Sequence, residues 1–181
     1  MSMVTMCFLG VLGLLVVLLP QEAVGDEDEE WPYKIIFTSC KTHLDPNFGR
    51  GKCSLKKPKG ENFKRLNLHI DTFQEIFCAM QVTMSAKIKS NGNWVDNYNS
   101  EPKDYGNYYR QNEGLLEHIF SFGNFTACPM EPGRYEINNL LIDEKRFPKE
   151  LDSGEYLLEL KFQTPGTTTI SLEIGAALDK I

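Results

Sequence analysis

The chain has 181 residues, a formal net charge of −6 and five cysteines. This length fits a single domain that can bury a sizeable core. The densest basic cluster, Lys56, Lys57 and Lys59, is interrupted by Pro58 and followed by Gly60, which predicts a loop. A phosphate-binding patch is therefore not expected, and nucleic acid is excluded as a partner.

The N-terminus predicts export. An apolar run over 7–19 (CFLGVLGLLVVLL) is about 13 residues long, shorter than the roughly 20 that span a membrane. A small-x-small cleavage site, Ala-Val-Gly, follows at 23–25. We predict a signal peptide over 1–25 and one secreted, extracellular domain over 26–181. The acidic run at 26–30 predicts a solvated tail.

Cysteine usage predicts two disulfides. Cys7 is removed with the signal peptide, which leaves Cys40, Cys53, Cys78 and Cys128. An even number of cysteines in an exported chain favours disulfide bonds, and four cysteines allow three connectivities. Pairing of Cys40 with Cys53 and Cys78 with Cys128 is preferred because the first bond closes a short loop. The other two connectivities remain open.

The segment before Cys128 contains an N-glycosylation sequon, Asn124-Phe125-Thr126. A sugar on Asn124 requires surface exposure. We therefore predict that this segment lies at the surface.

The residue pattern in the first half of the domain predicts β-strands. The segment 34–38 is short and apolar, and 66–70 alternates apolar with polar residues. The clearest strand is 78–88, in which the residues on one face are Cys78, Met80, Val82, Met84, Ala86 and Ile88. The sequence SNGN at 90–93 predicts a hairpin turn, with 94–98 returning as the next strand.

The middle of the chain differs in character. Residues 100–114 are polar and contain three tyrosines, two glycines and a proline, which predicts a long surface loop. One or two helical turns are expected after it. Their apolar ridge would consist of Leu115, Leu116, Ile119, Phe120 and Phe122.

Three further strands are predicted towards the C-terminus, over 133–142, 155–163 and 168–174. The apolar faces of these strands are Tyr135, Ile137 and Leu141; Tyr156, Leu158, Leu160 and Phe162; and Ile170, Leu172 and Ile174. Short strands with one apolar face, separated by turns, indicate an all-β fold. We predict an antiparallel β-sandwich or β-cup with an apolar interior and a long rim loop that carries a short helix.

Catalytic and metal-binding patterns are weak. His43 follows Cys40 at Cys-x-x-His spacing, but exported cysteines favour disulfides, so no metal is expected. Glu155 and Glu159 share the polar face of one strand, where solvated carboxylates are common. No nucleophile turn, zinc-protease motif or phosphate loop is present. We predict no enzymatic activity, no catalytic residues and no cofactor.

The C-terminal third carries a series of motifs in a recognisable order. Cys128-Pro129 is followed by Gly-x-Tyr at 133–135, a second Gly-x-Tyr at 154–156, and EIGAALDKI at 173–181. This order resembles the ML-like lipid-recognition superfamily, most of all the insect chemosensory B proteins, which are related to the ganglioside activator. The resemblance covers about residues 128–181, with Gly-x-Trp at 92–94 as a further parallel. The last strand lacks the cysteine of the vertebrate activator, so that disulfide framework is not carried over.

The resemblance implies a cup of strands around an apolar pocket, with loops at its mouth and no covalent chemistry. We therefore predict a binder or carrier of a lipid or hydrocarbon pheromone in chemosensory perception, with a possible membrane or receptor contact. The predicted ligand-binding residues are Met80, Val82, Met84, Leu115, Ile119, Phe120, Phe122, Tyr156, Leu158, Leu160 and Phe162.

Three alternatives remain open from the sequence. The first is an activator that presents a glycolipid to a hydrolase. The second is a secreted protein-interaction module whose core is completely filled. The third is a secreted hydrolase, which would need two titratable groups to converge in a cleft.

Overall fold

A computed structural model describes residues 31–146, 151–164 and 167–180. The predicted signal peptide and acidic tail lie outside these residues. The strands are β1 (Tyr33–Leu44), β2 (Gly49–Lys56), β3 (Arg65–Thr72), β4 (Gln81–Ser90), β5 (Asn93–Asn99), β6 (Lys103–Asp104), β7 (Gly133–Leu140), β8 (Gly154–Thr164) and β9 (Thr167–Lys180). The helices are α1 (Tyr105–Gln111) and α2 (Glu113–Phe120), and Glu144–Arg146 forms a 3-10 turn.

Two antiparallel sheets form the fold. The larger sheet has the strand order β1-β9-β8-β4-β5, and β6 pairs with the start of β4. The smaller sheet has the order β2-β3-β7. Apolar side chains from both sheets pack into one cluster between them, as in other sandwiches. The predicted all-β sandwich or cup is confirmed.

The β4–β5 hairpin forms at the predicted turn. Asn91 and Gly92 have φ angles of 51° and 82°, so both central residues are in the left-handed region. This is the geometry of a two-residue type I′ turn, which Asn-Gly favours because neither residue is strongly penalised there. Ser90 pairs with Asn93 across the turn.

A bulge in β7 changes which residue at the end of this strand is buried. Ile137 pairs with Leu68, but Leu140 pairs with Leu66, so β7 carries one extra residue between these pairs. Asn139 has a φ of 57°, a conformation that asparagine tolerates better than most residues. The bulge places Leu140 in the buried core, where the uninterrupted alternation predicted Leu141.

The predicted surface loop over 100–114 is wrong. This segment contains β6 and α1, and Tyr105 and Tyr108 are buried. Two hydrogen bonds hold the first turn of α1: the Tyr105 N–H donates to the Met80 carbonyl (2.8 Å) and the Gly106 N–H donates to the Cys78 carbonyl (2.9 Å). The helix depends on these long-range contacts, which its local composition does not indicate.

Two other differences concern strand extent. The sequence did not predict β2, whose Gly49, Gly51 and Lys52 give it no apolar alternation. It forms because its backbone pairs along the whole of β3. The last strand continues to Lys180, beyond the predicted end at 174, because it pairs with both β1 and β8.

The disulfides have the preferred pairing. Cys40–Cys53 connects β1 to β2, and therefore one sheet to the other, with a Cα–Cα distance of 5.6 Å. Cys78–Cys128 connects the segment before β4 to the segment before β7, with a Cα–Cα distance of 5.0 Å. The predicted presence of two disulfide bonds is confirmed.

Candidate functional site

An apolar cavity of about 210 Å³ lies between the two sheets. The smaller sheet lines it with Leu66, Leu68, Ile70, Ile137 and Leu140. The larger sheet contributes Met84, Leu158, Glu159, Leu160, Phe162, Ile170, Leu172 and Ile174. The helices and connecting segments contribute Ile76, Tyr105, Tyr108, Leu116, Ile119, Phe120, Phe125 and Met130.

Strand alternation explains why the lining is apolar. Successive side chains on a strand point to opposite faces, so Leu158, Leu160 and Phe162 all face inwards. Glu159 lies between two of them, and its carboxylate accepts from the Ser171 hydroxyl (3.2 Å) and pairs with the Lys161 ammonium (2.8 Å). The charge of Glu159 is therefore satisfied by Lys161 of β8 and Ser171 of β9.

The Cys78–Cys128 disulfide positions α1 against the cavity. An added Cβ at Gly106 would lie 3.3 Å from the Cys78 Cβ and 3.5 Å from the Cys128 sulfur. A glycine at this position lets the helix backbone approach the disulfide closely. This contact fixes the start of α1, and Tyr105 and Tyr108 lie against the cavity as a result.

A row of aromatic rings covers the helical side of the cavity. Phe120 stacks on Tyr109 with a centroid distance of 6.1 Å and on Phe125 with a centroid distance of 5.6 Å. Phe125 then contacts Tyr135 of β7 at 5.5 Å. These aromatic contacts join both helices to the smaller sheet and are each worth about 0.5–1.5 kcal/mol beyond burial.

Two tyrosine hydroxyls are the polar groups of interest in the lining. Burial raises the pKa of Tyr105 to about 12 and raises the pKa of Tyr108 further above its ordinary value. Both phenols are therefore protonated hydrogen-bond donors at neutral pH. The Tyr105 ring also packs edge-on against Phe162, with a centroid distance of 5.2 Å.

The structure brings together six of the predicted ligand-binding residues in the cavity lining: Met84, Ile119, Phe120, Leu158, Leu160 and Phe162. Met80 and Val82 are buried in the same core cluster but do not line the cavity. Phe122 packs against this cluster, where its ring contacts His118. Tyr156 lies in a second apolar cluster with Tyr33, Ile35, Leu151, Ala176 and Leu178. The side chain of Leu115 lies outside the described part of the chain.

The lining also contains residues that the sequence analysis did not assign to a site. Tyr105 and Tyr108 were missed because their segment, with Pro102, Gly106 and Gly114, was interpreted as a loop. Leu66, Leu68 and Ile70 were assigned to a strand, but alternation does not distinguish a cavity wall from a filled core. Phe125 was considered only as the middle residue of the sequon.

The sequon asparagine forms part of the structure around β7. Asn124 is exposed, its Nδ2 donates to the Arg134 carbonyl (2.8 Å), and its Oδ1 accepts from the Glu136 N–H (2.6 Å). The Asn124 side chain thus forms hydrogen bonds with two backbone groups of β7. Exposure agrees with the predicted surface position, and glycosylation itself stays a prediction.

The candidate catalytic and metal-binding residues do not converge among the residues that the structure describes. No group of three His, Cys, Asp or Glu side chains there could hold a metal ion. Glu155 pairs with the Lys89 ammonium at 2.9 Å, whereas Glu159 pairs with Lys161. Across the same ranges, no helix combines the length and the apolar character needed to cross a bilayer.

A second depression, of about 500 Å³, lies near the β4–β5 turn. It is open to solvent and is lined by Lys89, Gly92, Ser153, Gly154, Glu155, Ala177, Leu178 and Asp179. The Lys89–Glu155 ion pair occupies its polar side. We assign the candidate site to the smaller cavity because it lies between the two sheets and is lined mainly by apolar side chains.

Comparison with known proteins gives limited information. No family model matches the chain. No curated protein matches it either. Among solved structures, the chain is similar to chicken MD-1 complexed with lipid IVa, with 15% sequence identity and a TM-score of 0.30. The match covers 82% of this chain and 98% of that chain. At this TM-score we base neither the fold nor the function on the likeness.

Proposed function

We propose that this protein is secreted and holds an apolar small molecule in the cavity between its sheets, without a covalent step. The observation that carries the proposal is the 210 Å³ cavity with its apolar lining. Removing hydrocarbon from water contributes about 0.8 kcal/mol per methylene, so such a cavity favours an alkyl chain. The two disulfides support an oxidising compartment such as the extracellular space.

The cavity size favours one class of apolar ligand over another. A cavity of about 150 Å³ suffices for benzene, whereas pockets for drug-sized ligands usually start at about 300 Å³. The volume of 210 Å³ lies between these values and suits a single alkyl chain of moderate length. It therefore supports a small lipid or hydrocarbon pheromone, as the chemosensory resemblance implies, rather than presentation of a multi-chain glycolipid.

A membrane contact of this carrier is supported by two exposed phenylalanines. Phe73 is 55% exposed and Phe77 is 52% exposed, and they flank Ile76, which lines the cavity. Exposed aromatic side chains favour the interface of a bilayer. We expect the double variant Phe73→Ser/Phe77→Ser to lose cosedimentation with phosphatidylcholine vesicles while it retains ligand binding. Equal cosedimentation of both proteins would exclude this segment as the membrane contact.

Filling the cavity tests the proposed function directly. Leu160→Trp places a larger side chain in the cavity, so it should abolish the displaceable binding of the neutral dye N-phenyl-naphthylamine. Leu157→Trp makes the same change on the opposite face of β8 and serves as the matched control. Leu160→Phe provides a milder filling if the tryptophan variant does not fold, and thermal melting establishes which variants are folded.

Two results decide the proposal. Dye binding by the unmodified protein and by Leu157→Trp, with loss in the folded Leu160 variants, would support ligand binding in this cavity. If the unmodified protein from a eukaryotic secretion host carries no extractable apolar molecule and also binds no dye, the cavity does not act as a ligand site.

A further inference from the structure

Two tyrosine hydroxyls in the cavity lining have no oxygen or nitrogen acceptor among the described residues. Tyr105 is 3% exposed, and its hydroxyl reaches only the Met130 thioether sulfur, at 4.0 Å. The Tyr108 residue is 8% exposed, and no hydrogen bond joins its hydroxyl to a described residue. Sulfur is a weak acceptor, so neither phenol has its donor capacity met by the protein.

Such an arrangement is unusual for a filled core. Buried polar groups in native proteins almost always have a hydrogen-bond partner, and a buried donor without an acceptor destabilises the fold. Phenylalanine would fill the same space at both positions without this penalty. The retained hydroxyls therefore point to an acceptor that belongs to the ligand.

Tyr105 and Tyr108 occupy positions on α1 that suit a shared acceptor in the cavity. Residues three apart on a helix lie on the same face, and both tyrosines line the cavity. A carbonyl oxygen has two lone pairs and can accept two hydrogen bonds. The walls formed by β3, β8 and β9 present aliphatic side chains, which suit the remaining hydrocarbon.

We infer that the ligand carries an uncharged carbonyl oxygen, as in a fatty ester or ketone, which accepts hydrogen bonds from Tyr105 and Tyr108. This inference rests on the proposed binding function and specifies the class of ligand. In this arrangement α1 binds the polar end of the ligand, and the strands bury its alkyl chain.

The charge of the lining argues against a fatty acid anion. No Lys, Arg or His is among the described residues that line the cavity. A carboxylate placed there would lose its hydration without gaining a cation, which is strongly unfavourable. An ester or ketone has the same acceptor oxygen without the cost of burying a charge.

The test compares three ligands that differ at the polar end: methyl nonanoate, undecane and decanoate. Their affinities are measured by displacement of N-phenyl-naphthylamine from the unmodified protein and from Tyr105→Phe, Tyr108→Phe and the double variant. Tyr156→Phe, in the second apolar cluster and outside the cavity lining, is the matched control. Thermal melting verifies that each variant is folded.

We expect the double variant to bind methyl nonanoate about tenfold more weakly, since each neutral hydrogen bond contributes modestly. Its affinity for undecane should not change, and decanoate should bind the unmodified protein more weakly than methyl nonanoate. Unchanged ester affinity in the double variant would overturn the inference while leaving the proposed function intact. So would tighter binding of decanoate than of the ester. Absence of dye binding in the unmodified protein would overturn both.

Discussion

Gly123 lies where the segment after α2 crosses β7 with no space for a side chain. It forms an isolated bridge with Ile137, and an added Cβ would overlap the Glu136 carbonyl oxygen. The close approach sets the positions of its neighbours Phe122 and Asn124, both of which form hydrogen bonds to β7. At the scale of single residues, this glycine fixes the path of the chain beside the cavity.

We expect Gly123→Ala to destabilise the protein by about 1–3 kcal/mol, because the backbone of β7 must shift to accept the methyl group. Gly133→Ala is the control, since the nearest atoms to its added Cβ are 3.9 Å away. Urea unfolding followed by circular dichroism measures both. Equal stability of the two variants would show that the crossing segment adapts without cost.

The hydroxyls of two buried tyrosines should contribute differently to stability. The Tyr156 hydroxyl donates a hydrogen bond to the Asp152 carbonyl at 2.9 Å, whereas no hydrogen bond joins the Tyr108 hydroxyl to a described residue. We expect Tyr156→Phe to lose about 1 kcal/mol of unfolding free energy and Tyr108→Phe to lose none. The unfolding free energies of the ligand-stripped proteins in urea measure the difference. A comparable loss in both variants would indicate a hydrogen bond from Tyr108.

At the scale of elements, the two disulfides stabilise different parts of the fold. Cys78–Cys128 encloses a separation of 50 residues that includes β4, β5, β6 and both helices, whereas Cys40–Cys53 encloses a separation of only 13. Chain-entropy arguments assign about 4 kcal/mol to the longer closure and about 3 kcal/mol to the shorter.

We therefore expect Cys78→Ala/Cys128→Ala to destabilise the protein more than Cys40→Ala/Cys53→Ala does. The first pair should also weaken dye binding, because α1 packs against that disulfide at Gly106. Thermal melting and dye titration of the two double variants provide both measurements. If both variants bind dye equally, the disulfide does not position α1 for binding.

Strands with an apolar face could be predicted from the sequence, whereas elements held by distant contacts could not. The alternation in β4 and β8 is local, and so is the Asn-Gly turn, so the pattern identified them directly. By contrast, α1 depends on hydrogen bonds to Met80 and Cys78, more than twenty residues earlier in the chain. The bulge at Asn139 similarly depends on pairing with β3, which shifts the buried residue by one position.

At the scale of the whole molecule, buried tyrosines set the alkaline limit of stability. Burial raises the pKa of Tyr33, Tyr105 and Tyr156 to about 12, while the unfolded chain titrates near 10. A raised folded-state pKa contributes stability that is complete below the unfolded pKa and is lost as the pH rises through the folded value. Stability should therefore fall between about pH 10 and pH 12.

Tyrosinate absorbance and circular dichroism during an alkaline titration test this expectation. The buried tyrosines should ionise together with loss of β-structure. Ionisation of all tyrosines near their ordinary pKa, with the fold intact, would contradict it. The variant Tyr156→Phe should lose less stability over this pH range than the unmodified protein, because it lacks one tyrosine with a raised pKa.

The cavity itself could not be predicted from the residue pattern. A filled core and a core with a cavity have the same alternation of apolar and polar residues. The difference depends on the distance between the two sheets, which the pattern of a single strand does not indicate. The predicted set therefore mixed residues of the cavity wall, such as Leu160, with residues of the filled core, such as Val82. Tyr156 was included for the same reason, although it belongs to the second cluster.

The cavity between the sheets also has a consequence for the maturation of the protein. Because the cavity walls are apolar, an alkyl chain between the sheets would contribute about 0.8 kcal/mol for each methylene that it buries. A bound alkyl chain would pack against the side chains of both sheets, as a core residue does, and would stabilise the folded state. The yield of folded protein from a secreting cell should then depend on how much ligand that cell provides.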